Sequence, residues 1–307
     1  MLGTIILIII GILLLGVLFL WCFGERWQPL RPSTWKMMRE GGLRRFLNLN
    51  FLHTYVYLRW TNQYVKMLFK LPPPPPSPRA KTWLSDHYHG KVLTLEHAHA
   101  IITLDHNIPL RDLEQVIPYP LARDLVLKGP PDIAVYECAC RHAQANPCQP
   151  TQVCMMIGQP FVNFILEHNP KSSHRITQTE ALKILEAEHK RGHVHSAWFK
   201  DAMFNRFYAI CNCCRCCCGG INAMTKFGIP MLASSGYVAQ VDETICAACA
   251  TCRDACPFEA IHVDGTAVVN WEKCMGCGVC VGQCPNEAMS LVREEKKGLP
   301  LDVRLLT

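Results

Sequence analysis

Cys246-Ala-Ala-Cys249-Ala-Thr-Cys252-Arg-Asp-Ala-Cys256-Pro257 is followed, 28 residues on, by Cys274-Met-Gly-Cys277-Gly-Val-Cys280-Val-Gly-Gln-Cys284-Pro285. The spacing C-x2-C-x2-C-x3-C-P thus occurs twice. Thiolates so spaced wrap a cubane of iron and sulfide, three from one tight loop and the fourth from the partner motif. The expected ligand sets are therefore crossed. One is Cys246, Cys249, Cys252 and Cys284, and the other is Cys274, Cys277, Cys280 and Cys256. The repeat runs past the cysteines, since Pro-Phe-Glu-Ala-Ile after Cys256 mirrors Pro-Asn-Glu-Ala-Met after Cys284. CxxC pairs also bind structural zinc, which is the competing reading.

These motifs resemble the bacterial-type 2[4Fe-4S] dicluster ferredoxin domain, with every motif position present. The resemblance implies two [4Fe-4S] clusters and single-electron transfer. Nineteen cysteines in 307 residues could also suggest a disulfide scaffold. Runs such as Cys216-Cys217-Cys218 make poor disulfide partners for one another, however, so a reducing compartment is expected.

Residues 2–23 form an uncharged run rich in Leu and Ile. At helical rise it spans about 33 Å, enough for a hydrocarbon core of about 30 Å. A cleavable signal peptide would show a basic start and small residues at its end, whereas Trp21, Cys22 and Phe23 are bulky. The expectation is a retained single-pass anchor at residues 1–23. Arg26, Arg31, Lys36, Arg39, Arg44 and Arg45 follow the run, which places the head in the cytoplasm at the inner membrane. Trp21, Trp27 and Trp35 suit the headgroup region.

Net charge is +6, but between Gly24 and Lys81 eleven Lys/Arg face only Glu25 and Glu40. Directly after an apolar run, that excess points to a lipid bilayer surface rather than nucleic acid. Residues 24–71 read as a basic interfacial segment, because Trp60, Tyr64, Met67 and Leu68 recur at helical spacing and Arg59, Lys66 and Lys70 lie mostly elsewhere on the wheel. Pro72 to Pro76 open a linker over 72–80, expected to stiffen into a polyproline spacer that holds a head off the membrane.

Residues 81–235 form a middle domain with ten more cysteines: Cys138, Cys140, Cys148, Cys154, Cys211, Cys213, Cys214, Cys216, Cys217 and Cys218. Six in eight residues, among Asn212 and Arg215, make an odd apolar core. Cys211, Cys214 and Cys217 repeat the spacing of a cubane loop, and Cys213 with Cys216 gives another CxxC. One or two further iron–sulfur clusters are expected from these ten. Zinc or thiol storage is the alternative. Thr177 and Glu180 form a capping-box pattern that should open a helix through about Lys190, ended by Gly192.

Glu137-Cys-Ala-Cys-Arg141, with the later Cys211–Cys218 run, resembles a group of poorly characterised anaerobe-type 4Fe-4S proteins that join such a domain to a dicluster ferredoxin. That resemblance covers roughly residues 92–291.

Thirteen histidines include the pairs His87/His89, His97/His99, His189/His193 and His193/His195, all read as surface or hydrogen-bonded groups. His195 and Arg141 are the bets for groups that tune a cluster. No C-x-x-C-H, G-x-G-x-x-G or G-x4-G-K-[ST] occurs, so c-type haem and a nucleotide cofactor are not expected.

The fold expected is α+β: a transmembrane helix, a cysteine-rich α/β-mixed middle domain, a ferredoxin-like 2[4Fe-4S] domain over 236–292 and a tail over 293–307. The function expected is a membrane-anchored electron-transfer subunit of an oxidoreductase complex. Its redox partner would be a flavoprotein or a quinone-reactive subunit, because nothing in the chain looks able to pair electrons. An atypical catalytic cluster in the middle domain, or cluster assembly and storage, are the alternatives. The ferredoxin segment carries seven acids against Arg253 and Lys273, an acidic face that would suit docking.

Overall fold

Two-sided burial organises the centre of the molecule. Every residue of Val194–Lys200 is buried, as in a strand covered on both faces. The computed structural model of the chain describes residues 2–28, 30–42, 49–72, 77–111, 113–121 and 123–306. Among the described residues, five helices come first: α1 (Leu2–Gly24), α2 (Pro32–Gly41), α3 (Leu49–Arg59), α4 (Thr61–Lys70) and α5 (Pro78–His87). The middle domain follows as β1 (Tyr88–Leu93), α6 (Leu95–Ile102), β2 (Ile108–Leu110), β3 (Leu125–Leu127), β4 (Ile133–Glu137), α7 (Ala139–His142) and β5 (Gln152–Ile157). It continues through α8 (Phe161–His168), β6 (Ser173–Ile176), α9 (Gln178–Lys190), β7 (Val194–Lys200), β8 (Arg206–Cys213), α10 (Gly219–Phe227) and β9 (Leu232–Ala233). The C-terminal module contains β10 (Tyr237–Val241), α11 (Thr251–Ala255), β11 (Ile261–Asp264), β12 (Thr266–Val269), α12 (Val279–Gly282) and β13 (Met289–Arg293).

The architecture is α+β around a mixed seven-stranded sheet of order β6-β4-β5-β8-β7-β1-β9. Its neighbours run antiparallel except β1 and β9. Strand alternation divides the core in two. One face carries Ile133, Val135, Met155, Ile157, Ala197, Phe199 and Ile210, packed with Ile101 of α6 and Ala181 and Leu185 of α9. The other carries Tyr136, Cys154, Trp198 and Cys213, packed with α3, α8 and α10. Helix α9 begins with both halves of the capping box between Thr177 and Glu180, as its sequence predicts, and Gly192 follows at φ +75°.

Helix α1 is long and apolar enough to cross a membrane, and its most apolar window buries nothing inside the protein. Its C-terminal end is docked on the head. Trp21 stacks on Tyr55 with centroids 5.1 Å apart, and a side chain at Gly24 would collide with the Tyr55 ring. Glu25, fully buried, accepts hydrogen bonds from the Thr34 hydroxyl (2.8 Å) and the Arg31 N–H (2.6 Å), and its Oε1 lies 3.2 Å from His168 Nε2 on α8. Burial alone would raise the Glu25 pKa. The bonds from His168, Thr34 and Arg31 outweigh it and hold the carboxyl below its usual value.

The segment 24–71 therefore differs from a single interfacial stretch. Phe51, Tyr55, Tyr57 and Leu58 of α3 lie in the sheet's core. Burying a large apolar side chain of this kind contributes about 1.5–3 kcal/mol, and here the protein core supplies that burial in place of lipid. Helix α4 matches the expectation better, with no buried residue and with Met67, Leu68 and Phe69 exposed. Of the proline run, residues 73–76 lie outside the described residues, as do Phe46, Arg44 and Arg45. The expectation that the run holds the head away is corrected in one respect, since the contacts of Glu25 and Gly24 set the end of α1 directly on α8 and α3.

Residues 294–306 also depart from a free tail. Leu301 and Val303 are fully buried in the core of the α6/α9 face, and the Lys91 ammonium donates to the Leu299 carbonyl at 2.7 Å. After leaving the module at β13, the chain returns to the middle domain as a strap.

Candidate metal centres

In the C-terminal module the sequence repeat is a repeat of backbone conformation. Ala248, Ala250 and Glu259 have φ of 52°, 64° and 53°; 28 residues on, Gly276, Gly278 and Glu287 have 62°, 77° and 54°. These left-handed residues turn each C-x2-C-x2-C loop tightly enough for its sulfurs to converge. At Gly276 the absence of a side chain is also steric, because a Cβ would run into the Tyr237 carbonyl. Strand β10 pairs antiparallel with β13, and β11 with β12, so the two halves close on each other.

That closure sorts the eight cysteines. Cys246, Cys249 and Cys252 line one cavity together with Cys284, and Cys274, Cys277 and Cys280 line another with Cys256. Backbone N–H groups point at sulfur in the same way in both halves, from Ala260 to Cys256 and from Ala288 to Cys284, each at 3.3 Å. The N–H of Ala239 reaches Cys274 at 3.4 Å. Such donors stabilise thiolate and bound cluster charge. Burial pushes the Cys280 thiol up to about 12 and raises Cys277 as well. A compensating metal cation would favour the thiolate form there. The residues fit cubane ligation.

The middle domain's ten cysteines separate into four and six. Cys148, on the loop between α7 and β5, meets Cys214, Cys216 and Cys217 just beyond β8, with all four sulfurs within 4.8 Å of one another. Cys148 and Cys216 sulfurs are 2.9 Å apart, and Cys216 and Cys217 sulfurs 3.4 Å. A tetrahedral ion with metal–sulfur bonds of about 2.3 Å places its sulfurs about 3.8 Å apart, so this group could hold a metal once the closest sulfurs spread by about 1 Å. It forms the wall of a cleft of about 700 Å³ that Arg191, His193 and Lys226 share with Pro257 and Glu259 of the module. Arg215 spans the cleft, donating to the Glu259 carboxylate and the Asp254 carbonyl, each at 3.1 Å. Glu259, expected on an outer docking face, thus turns toward the middle domain.

The other six, Cys138, Cys140, Cys154, Cys211, Cys213 and Cys218, gather on the α3-covered side of the sheet. Registry between Met155 and Ile210 sets Cys154 opposite Cys211, and β7 pairs Ser196 with Cys211 and Val194 with Cys213. Cys138 caps α7 and Cys218 caps α10. This corrects the sequence reading in which Cys211, Cys214 and Cys217 form one loop and Cys213 pairs with Cys216. Cys211 and Cys213 belong to β8, whose alternation points both to one face. The chain turns only after them, sending Cys214, Cys216 and Cys217 to the cleft. Sequence spacing carries no mark of where a strand ends inside a cysteine run.

Arg141 is fully buried between the two groups. Glu188 accepts from Arg141 (2.7 Å), Arg191 (2.8 Å) and His193 (2.6 Å), and Arg141 also donates to the Asn212 carbonyl (3.1 Å) and to the Pro150 carbonyl. Burial raises the Glu188 pKa, but the bonds from His193 and Arg141 prevail and keep it low. His195, by contrast, faces away from the cysteines, with Nδ1 2.7 Å from Asn212 Oδ1 and its ring stacked 5.7 Å from His189. The remaining histidine pairs do not converge. His87 stacks on Trp83 and His89 on Tyr119, while His97 approaches Asp302 and His99 approaches Glu186.

Burial depresses the His195 pKa from 6.5 to about 4. The folded form therefore binds fewer protons than the unfolded form between those values. The stability this contributes is fully present above pH 6.5 and is lost as pH falls toward 4. The shift corresponds to roughly 3 kcal/mol across that window. His195→Gln is expected to flatten the decline in melting temperature between pH 6.5 and 5.5, measured anaerobically. An unchanged slope would show that the unfolding transition does not report this group.

The C-terminal module is a 4Fe-4S binding domain near the C-terminus. Residues 267–290, which contain the second cysteine motif, match the family described as 4Fe-4S binding domain. No curated protein and no solved structure matches the chain.

Proposed function

We propose that this protein is a membrane-anchored iron–sulfur subunit that relays single electrons between a redox partner and a membrane-associated oxidoreductase. One observation carries the reading: the two cysteine-lined cavities of the module and a third group of four cysteines share one head, the third group facing the module across a cleft. On this reading Cys246, Cys249, Cys252 and Cys284 hold one [4Fe-4S] cluster, and Cys256, Cys274, Cys277 and Cys280 the other. When bound, the clusters supply one-electron redox chemistry. The chain contributes thiolates, N–H donors to sulfur and the burial that tunes potential.

Helix α1 anchors the head in the inner membrane with the head in the cytoplasm. The exposed Trp27, Trp35, Met67, Leu68 and Phe69 suit the lipid interface. The partner is a flavoprotein or a quinone-reactive subunit. A second reading, catalysis at the four-cysteine group, draws on the open cleft and on the exposure of Cys216.

Anaerobic purification followed by an EPR redox titration tests the relay. Two interacting cluster signals from the module and a third, separately titrating centre are expected. Cys148→Ser combined with Cys216→Ser should remove only the third centre and interrupt transfer beyond the module. A dithionite-reduced sample without [4Fe-4S]+ signals would refute the relay.

A further inference from the structure

Six cysteines, four of them buried and Cys140 and Cys211 half-buried, remain outside both the module and the cleft group. Strand register sets Cys154 opposite Cys211 and carries Cys213 on the same face, and Cys138 and Cys218, at the N-cap positions of α7 and α10, join them in one core with Cys140 packed against it. The Ser196 hydroxyl lies 3.5 Å from the Cys213 sulfur and receives the Trp198 indole N–H at 2.9 Å. Thiols that merely fill a core act as small hydrophobes and need no such donors. Thiolates carrying a cluster do, because each hydrogen bond offsets charge.

The residues around these cysteines are also distinctive. Tyr57 of α3 and Tyr208 share a hydroxyl hydrogen bond of 2.9 Å, and the Lys200 ammonium lies 4.7 Å from the Tyr88 ring centroid and 5.1 Å from that of Tyr57. Gly219 packs so closely under Phe69 of α4 that a Cβ there would sit 3.2 Å from the ring and 3.7 Å from the Cys140 sulfur. A side chain at Gly220 would meet the Trp198 ring. The start of α10 is thus pressed close to Cys140, and α3 and α4 pack over the same side of the sheet.

We propose that Cys138, Cys140, Cys154, Cys211, Cys213 and Cys218 form an iron–sulfur site of their own, separate from the four-cysteine group and walled by the membrane-side helices α3 and α4. Six thiolates satisfy at least one cubane, which takes four. The site extends the proposed relay and rests on that reading, giving it a centre away from the cleft and next to the segment that follows the anchor.

The test uses the full-length protein, purified anaerobically in detergent, with iron, zinc and acid-labile sulfide measured per chain. Cys154→Ala with Cys211→Ala is expected to lose about four irons or more, while the module's EPR signals and the metal released by Cys148→Ser/Cys216→Ser persist. Native mass spectrometry of the unaltered protein gives a second readout should that variant fail to fold. It should show a cluster mass beyond two cubanes and the cleft centre. Wild-type iron in the Cys154→Ala/Cys211→Ala variant, zinc in place of iron, or a native mass explained without a further cluster would overturn the proposal. Absence of the module's signals in the unaltered protein would instead sink the relay itself.

Discussion

Serine in place of Cys284 is expected to remove the cluster assigned to Cys246, Cys249 and Cys252 while sparing the one assigned to the Cys274 loop. Cys284 closes the second motif in sequence but lines the first motif's cavity, because β10 pairs with β13 and folds the two halves together. About half of the module's iron, roughly four of eight atoms for two cubanes, should be lost. EPR of the reduced protein should change from a coupled pair of centres to a single uncoupled one. Loss of the other cluster would mean that the ligand sets are not crossed.

The second large effect is expected at Glu188. This carboxylate is 1% exposed and accepts from Arg141, whose side chain has no solvent exposure. Glu188→Ala strips the partner from a buried guanidinium and should cost about 3–5 kcal/mol, read as a large drop in melting temperature. Replacing both residues together, with Arg141→Met and Glu188→Leu, should recover most of that loss, since no buried charge is then stranded. A double variant as unstable as Glu188→Ala alone would show that Arg141 acts mainly through its bonds to the Asn212 and Pro150 carbonyls. Because those carbonyls position the loop of Cys148 and the strand of Cys211 and Cys213, that outcome would also come with metal loss.

The module was legible in the sequence almost residue by residue, because a tight loop has little freedom once three thiolates must converge. The repeat fixes the spacing, and the backbone at Ala248 and Gly276 follows from it. The apolar helix and the capping box at Thr177 were legible for the same reason, being set by neighbours three or four residues apart. The ten middle-domain cysteines were recognisable as a group but not divisible. Cys154 meets Cys211 through registry between β5 and β8, and Cys148 reaches the cleft through a loop, both products of strand order. The burial of α3 was hidden because its aromatic residues suit a lipid interface and a protein core equally well. Arg141, expected near a cluster, is a fully buried cation held by Glu188. His195, expected there too, does not face the cysteines, because the same alternation that turns Ser196 toward the sulfurs turns His195 away.

The strap of residues 299–303 changes what kind of device the head can be. A module joined at one end swings on its linker, and separate domains in one chain move relative to each other by default. Here the connection after β9 holds one end, while Leu301 and Val303, sunk into the far core, hold the other. The Arg215 bridge and the bond from Gln283 to the Lys190 carbonyl (3.0 Å) pin it between them. Electrons passing through such a head would cross fixed gaps, as in a wire, and would not be ferried by a moving arm. Their internal transfer should therefore be indifferent to solvent viscosity, leaving encounter with the outside partner as the step that thickening the medium can slow.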